Sequence, residues 1–208
     1  MPFRKWFEVW NRKFHIYLGL YLLLFVWLFS VSGLILNHPR WKFAQFWAQR
    51  EQTSYEKSVS LPTEGGDVAK AKDLMRQLDI TGEIQQITVN PDQGQFTFGV
   101  IRPNIRHRVQ VDLNTKQATV NRIRVNTWGV MYALHVVSGV RMNNPELKRD
   151  WLMTKIWSFS MDAVSVGVIV MVLSGLYMWF KLKPKWRLGL IVLGLGVLSC
   201  GFFFLGLG

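Results

Sequence analysis

Four histidines are the residues of this chain best suited to metal chemistry: His15, His38, His107 and His135. A low-spin heme needs two neutral imidazoles that face each other across the porphyrin, held by rigid elements among apolar side chains. His15 and His38 bracket the first apolar run and lie about 34 Å apart along a helix, too far to share one metal within a protomer. His135 precedes the second apolar run on the same side as His38, so these two form the candidate pair.

Side chains near His38 and His135 have the chemistry that a heme pocket requires. Arg40 and Arg141 could neutralise the heme propionates. Apolar neighbours could cover the macrocycle: Leu34, Ile35, Met131, Tyr132, Val136 and Val137. The alternative interpretation is that both histidines are polar residues of a membrane interface, which hold no ligand.

Of the other two histidines, His15 has no histidine partner on its own side of the membrane, and His107 belongs to a predicted strand of the loop. A second heme at His15 would need Met178, or the His15 of another protomer, as its opposite ligand. The competing interpretation of His15 is a hydrogen-bonded or cationic residue flanking a membrane span. His107 lies between Arg106 and Arg108 on a predicted strand. We expect it to face solvent, with its charged form disfavoured by the two arginines.

Asp162 is the acidic residue inside a predicted span, where an unpaired carboxylate is expensive. Its candidate partners include the second ring nitrogens of His38 and His135, where a hydrogen bond would raise the basicity of a heme ligand. The other candidates are cations: Arg141, Arg149 and Lys155. A later start of the span would instead leave Asp162 at the interface.

Three apolar runs must position these residues. They cover 16–36, 156–180 and 188–208, and each can cross a hydrocarbon core of about 30 Å. A hydrophobic content of 50% excludes a disordered chain and is unusual for a soluble domain. Basic residues before the first run and in 181–187 predict an N-terminus in the cytoplasm. The 38–155 loop is then expected outside the cytoplasm.

The net charge of +12 points to lipid head groups and not to nucleic acid. The basic residues flank the apolar runs or lie in a mixed-charge loop, and they form no nucleic-acid recognition motif. The single cysteine, Cys200, lies in the third run. This excludes an intramolecular disulfide and a cysteine-based zinc or iron–sulfur site.

Between the first two runs we predict one small α+β domain. Asp67 is the expected N-cap of a helix that runs to about Asp79. Four alternating stretches then predict an antiparallel meander: 84–89, 95–101, 105–111 and 117–125. A second amphipathic stretch covers 127–140.

The predicted organisation therefore has five parts: the N-terminus with the first span, 1–38; an interfacial segment and linker, 39–66; the domain, 67–125; an amphipathic segment, 126–155; and the last two spans with their basic link, 156–208.

Short motifs along nearly the whole chain carry a family likeness. They are RKFH at 12–15, LGL at 18–20, SGLILNH at 32–38, LH at 134–135, and a span that begins with MDA at 161 and ends with LSGLYMW at 179. Together with the helix-then-meander domain between them, they resemble the PepSY-associated transmembrane family of bacterial inner-membrane proteins. The resemblance implies an integral membrane protein with three transmembrane helices and a small PepSY-like domain in the periplasm.

Larger members of that family resemble heme-bearing reductases that pass electrons across the membrane to periplasmic ferric chelates. The resemblance therefore favours a heme b electron-transfer protein, with His38 and His135 as axial ligands and His15 as a candidate for a second heme. Its redox partner would be a quinol, another membrane donor or a ferric chelate. No dinucleotide fingerprint of the G-x-G-x-x-G type is present, so electrons from a nicotinamide would have to arrive through another protein.

A second class of function remains open from the sequence. The chain would be a cofactor-free scaffold whose PepSY-like domain docks or regulates an envelope partner through the 90–94 hairpin and an exposed strand edge. Its histidines would then be replaceable. A metal-ion transporter is less consistent with three spans and one intramembrane acid, although homodimerisation would weaken that objection.

Overall fold

A computed structural model describes residues 3–61, 65–137, 147–181 and 186–207. Within these ranges the chain forms five α-helices and five strands. In chain order they are α1 (Phe3–Asn37), a 3-10 turn (Lys42–Ala44), β1 (Glu51–Ser58), α2 (Asp67–Gln77), β2 (Glu83–Asn90), β3 (Gln95–Arg102), β4 (Ile105–Asp112), β5 (Gln117–Arg124), α3 (Thr127–Val136), α4 (Leu152–Lys181) and α5 (Trp186–Gly206).

Three of the described helices, α1, α4 and α5, are long and apolar enough to cross a membrane. They confirm that the three predicted apolar runs form three long helices in the predicted order, each a candidate membrane span. Helix α1 has 35 residues, about 52 Å of helix, whereas a hydrocarbon core is about 30 Å thick. It therefore begins well before the apolar run, and its first turns carry charged residues such as Arg4 and Glu8, which pair at i,i+4 spacing.

The chain divides into two compact units. One unit comprises Met1–Phe25 and Asp162–Gly208, and the other comprises Val26–Met161. The first holds most of α1 and α4 together with α5. The second holds the sheet, α2 and α3, with the last turns of α1 and the first turns of α4.

The sheet is antiparallel throughout, with the strand order β1-β5-β4-β3-β2. Short turns join β2 through β5. Gly94 takes a φ of 60° in the first turn, a conformation that glycine adopts without strain. In the β4–β5 turn the carboxylate of Asp112 accepts the amides of Asn114 at 2.8 Å and Thr115 at 3.1 Å. The hydrogen bonds from Thr115 and Asn114 lower the pKa of Asp112.

One face of the sheet and helix α2 form the core of the second unit. Residues alternate along β3 and β4, and the register sets Phe98 beside Val109. Leu74 and Met75 of α2 are buried in the same cluster. The meander and its helix are confirmed with bounds within two residues of those predicted, except that α2 has Gly66 at its N-cap position and no side-chain cap from Asp67.

Strand β1 changes the predicted organisation. The segment 39–66 was expected to be interfacial chain and linker, but Glu51–Ser58 pairs with β5 over its full length and extends the sheet to five strands. All eight residues of β1 are exposed. Because neither face of the strand is buried, its sequence lacks the apolar alternation that would predict a strand.

Candidate functional site

A buried hydrogen-bond chain orients His135 in the second unit. Ser32 on α1 is 1% exposed, and its Oγ lies 2.7 Å from His135 Nδ1 on α3. The same hydroxyl donates to the carbonyl of Phe29 at 3.1 Å. Since a hydroxyl has one proton, both hydrogen bonds form together only if His135 Nδ1 carries a proton and donates to Ser32. The geometry therefore favours the tautomer in which Nε2 of His135 holds the lone pair.

Small and aromatic neighbours fit closely around this imidazole. A Cβ atom on Gly33 would lie 3.7 Å from Cε1 of His135, an ordinary van der Waals distance, so the ring lies directly beside this position of α1. The ring of Phe29 meets the imidazole edge-on, with centroids 5.5 Å apart. Nε2 of His135 makes no hydrogen bond with a described residue, which leaves it available as a ligand.

Local sequence explains why α3 starts where it does. Asn126 is the N-cap, and its side-chain oxygen accepts the amide of Gly129 at 3.2 Å. Its side-chain nitrogen donates to the carbonyl of Gln45 at 3.2 Å and to Gln49 Oε1 at 2.9 Å. Asn126 therefore fastens the start of the helix to the chain that follows α1.

Gly129 lets α3 pack tightly against its surroundings. A Cβ atom there would lie 2.7 Å from the side chain of Val125 and 3.1 Å from Phe46. No side chain fits at this position without displacing a neighbour. Together with the Asn126 cap, this close approach sets the position of the helix that carries His135.

His38 lies just beyond the end of α1 and is exposed. Its ring stacks on Trp41, with centroids 4.5 Å apart and planes at 11°. The contacts of His135, by contrast, are with positions 29–33 of α1, and no described contact joins the two histidine rings. Ligation of one heme by this pair stays a prediction. Arg40 is exposed and Arg141 lies outside the described residues, so a role in binding propionates stays a prediction for both.

His15 packs against small residues of α4 in the first unit. A Cβ atom on Gly175 would lie 3.5 Å from Cε1 of His15. The neighbouring Ser174 donates to Asn11 Oδ1 at 3.0 Å. Nδ1 of His15 and Nδ2 of Asn11 are buried, and neither has a hydrogen-bond partner among the described residues. A serine followed by glycine thus accompanies His15 as it does His135, but a second heme, with Met178 or another His15 as the opposite ligand, stays a prediction.

Asp162 is exposed on α4. Its carboxylate makes no hydrogen bond or ion pair with a residue in the described part of the chain. No group of three or more His, Cys, Asp or Glu side chains that could hold a metal ion is found among the described residues either. The expected role of Asp162 beside a heme ligand stays a prediction.

His107 corrects one prediction. It was expected to face solvent, but it is 8% exposed and lies on the core side of β4. The strand alternates, so His107 shares this side with Val109, while Arg106 and Arg108 lie on the opposite face. Burial lowers the pKa of His107, and the charges of Arg122 and Arg102 lower it further. Nδ1 of His107 has no hydrogen-bond partner among the described residues.

Glu83 is a structural residue that the sequence does not reveal. Its side chain is 6% exposed at the start of β2. One carboxylate oxygen accepts the amide of Asp150 at 3.2 Å and the other accepts the amide of Trp151 at 3.1 Å. Glu83 thereby ties the segment before α4 to the sheet. An acidic residue at a strand end is typical of a surface position, so nothing in the local pattern indicates this role.

The described residues define a class of protein. It has three helices that are long and apolar enough to span a membrane, and a small α+β module with a five-stranded sheet lies between the first two of them in sequence. The model of the PepSY_TM-like family matches residues 9–203. The chain therefore belongs to the PepSY_TM-like family, as the short motifs predict. Searches of curated proteins and of solved structures find no match.

Proposed function

We propose that this protein binds heme b and transfers electrons in the bacterial inner membrane, with Nε2 of His135 as an axial ligand. The observation that carries the proposal is the chain from Phe29 through Ser32 to His135 Nδ1. Histidines that ligate a metal usually donate their other ring N–H to a neighbouring acceptor, which fixes the tautomer and the ring orientation. His135 meets this requirement through Ser32.

The surroundings of His135 fit a flat apolar group. Gly33 adds no side chain beside the ring, and Phe29 provides an aromatic edge. Leu34 follows Gly33 on α1 and Val136 follows His135 on α3, and both are exposed, so the two helices offer apolar surface for a ligand. Such side chains would exclude water from a bound porphyrin.

His38 is the proposed opposite ligand. It belongs to the same unit, and its ring nitrogens make no hydrogen bond with a described residue. The ring of His38 stacks on Trp41, so a heme bound to His38 would have to fit beside the Trp41 ring. Arg40, two residues further along, is exposed and would supply positive charge for a propionate.

The residues of the chain have defined tasks under this proposal. Heme supplies reversible one-electron chemistry when it is bound. Ser32 holds the proton of His135 at Nδ1, and Phe29 keeps the serine hydroxyl directed away from that nitrogen. This hydrogen bond also raises the electron density of the imidazole, which lowers the reduction potential of a ligated iron.

The proposal includes a location and redox partners. Basic residues near the start of α1, Arg4, Lys5, Arg12 and Lys13, support a cytoplasmic N-terminus, and with it a periplasmic location of the α+β module. A membrane donor or a quinol would supply the electrons. A periplasmic ferric chelate would accept them, which would make the protein an oxidoreductase.

Matched variants test the assignment of His135. We expect His135→Ala to abolish bound heme in the detergent-purified protein. Ser32→Ala is expected to retain heme with about 10- to 100-fold weaker binding and a higher reduction potential, because the imidazole loses its acceptor. His107→Gln is the control, since His107 lies in the sheet core. Full heme occupancy in His135→Ala would overturn the proposal.

One observation favours the second candidate function, docking of an envelope partner. Strand β1 lies at the edge of the sheet and all its residues are exposed, so an extended peptide could add a sixth strand there. The two proposals differ in one measurable property. The docking function needs no cofactor, and His135→Ala would leave it intact.

A further inference from the structure

A cavity of about 380 Å³ lies in the second unit, at the end of the sheet where β3 turns into β4. The sheet contributes Ile105 and Ile123 to its walls, α3 contributes Leu134, and the first turns of α4 contribute Ile156. This volume is in the range of small-molecule binding sites, about 300 to 1,000 Å³. The walls are mainly apolar, so an apolar ligand group would be favoured.

The charged residues at this cavity are mostly positive. Arg102, Arg106 and Arg149 line it, together with one carboxylate, that of Glu83. Both oxygens of Glu83 already accept backbone amides. The cavity therefore combines an apolar interior with an excess of positive charge.

Two side chains that line the cavity each have a buried N–H group without an acceptor in the described part of the chain. Nε of Arg102 and Nε1 of Trp157 are buried, and neither has a hydrogen-bond partner among the described residues. Two other contacts fix the side chain of Arg102. Its Nη1 donates to Thr81 Oγ1 at 2.9 Å, and its guanidinium carbon lies 5.9 Å from the ring centre of Trp151. Unpaired buried donors cost free energy, which an anionic oxygen would recover.

The cavity is separate from the candidate heme ligand. Its α3 residues include Tyr132 and Ala133, whereas His135 does not line it and points to Ser32 on α1. The first residues of α4, a candidate membrane span that begins at Leu152, form one wall. Lipid head groups lie at the ends of membrane spans, so if α4 spans a membrane the cavity is next to the level where a phosphate meets an acyl chain.

We propose that this cavity is a binding site for an anionic phospholipid. An acyl chain would occupy the space between Ile105, Leu134 and Ile156, and the phosphate would accept hydrogen bonds from Arg102 and Trp157. The site does not depend on the heme proposal, because it shares no residue with the proposed ligands.

Native mass spectrometry of the full-length protein in a neutral detergent tests the site. We expect one phosphatidylglycerol to remain bound at lipid concentrations where phosphatidylcholine does not. Arg102→Gln should weaken phosphatidylglycerol binding about tenfold, since a charge-assisted hydrogen bond is lost. Trp157→Phe removes one N–H and keeps the aromatic surface, so we expect a loss of about fivefold.

Arg124→Gln is the charge-matched control, because Arg124 is exposed at the end of β5 and does not line the cavity. It should bind phosphatidylglycerol as the parent protein does. Far-UV circular dichroism checks that each variant folds. If Arg102→Gln does not fold, Trp157→Phe provides the test. Glycerol 3-phosphate alone should not compete. Competition by that head group, equal binding of the two lipids, or unchanged binding in Trp157→Phe would overturn the proposal.

Discussion

Removal of the Glu83 carboxylate should release the segment that precedes α4. In Glu83→Ala the amides of Asp150 and Trp151 both lose their acceptor. A hydrogen bond to a charged acceptor contributes about 1.5 to 3 kcal/mol. Asp150 is exposed, so water replaces part of its loss, whereas Trp151 is only partly exposed. We expect the local opening free energy to fall by about 3 kcal/mol in Glu83→Ala.

Hydrogen exchange measures this change directly, because the two amides are the groups that Glu83 protects. A loss of 3 kcal/mol corresponds to an increase of about 100-fold in the exchange rate of a peptide that covers 149–152. Glu83→Gln keeps one acceptor oxygen but loses the other and the charge, and we expect an increase of about tenfold. Both are measured by mass spectrometry on the full-length protein in detergent.

Glu56→Ala is the matched control, since Glu56 is exposed on β1 and its side chain makes no hydrogen bond or ion pair with a described residue. In Glu56→Ala the amide exchange rate of the peptide that covers 149–152 should equal that of the parent protein. The reasoning is refuted if Glu83→Ala exchanges at this segment no faster than Glu56→Ala. That result would mean that the buried carboxylate does not hold the start of α4.

Three further predictions concern the sheet and α3, all measured on the detergent-solubilised protein by circular dichroism during denaturation. The pKa of His107 in the folded protein is lowered from 6.5, so the unfolded chain binds the proton first and the free energy of unfolding should fall as the pH drops below 6.5. His107→Gln should remove this pH dependence. An unchanged pH dependence in His107→Gln would contradict the assignment. Phe98→Ala should cost about 3 to 5 kcal/mol because Phe98 is 1% exposed, and a loss below 1 kcal/mol would show that the core is loosely packed. Gly129→Ala should cost about 1 to 3 kcal/mol through its clash with Val125, and a neutral effect would exclude that close packing.

The sequence predicts those parts of the fold where burial leaves a periodic pattern. Strand β4 alternates Ile105, Val109 and Val111 with polar residues, and α2 repeats apolar residues at helical spacing. The same alternation includes His107, so the period of the strand indicates that its side chain faces the core. The neighbouring arginines are typical of an exposed segment, but they lie on the opposite face of the strand.

Other features depend on contacts between distant parts of the chain. Strand β1 is recognisable only through its pairing with β5, because no face of it is buried. Glu83 acquires its role from amides 67 and 68 residues away. Likewise, the sequence identifies Ser32-Gly33 as small residues of a helix, but the hydrogen bond to His135 joins positions 103 residues apart. Local patterns carry no information about such pairs.

The central claim, that the protein carries heme on His135, is tested most directly by an absorption spectrum. The full-length protein would be purified in detergent from cells supplied with heme, and recorded oxidised and then reduced with dithionite. The account predicts the sharp reduced bands of six-coordinate b-type heme, at a ratio near one heme per chain that falls to zero in His135→Ala. A colourless protein from the same cells would contradict it and would favour the docking function of β1.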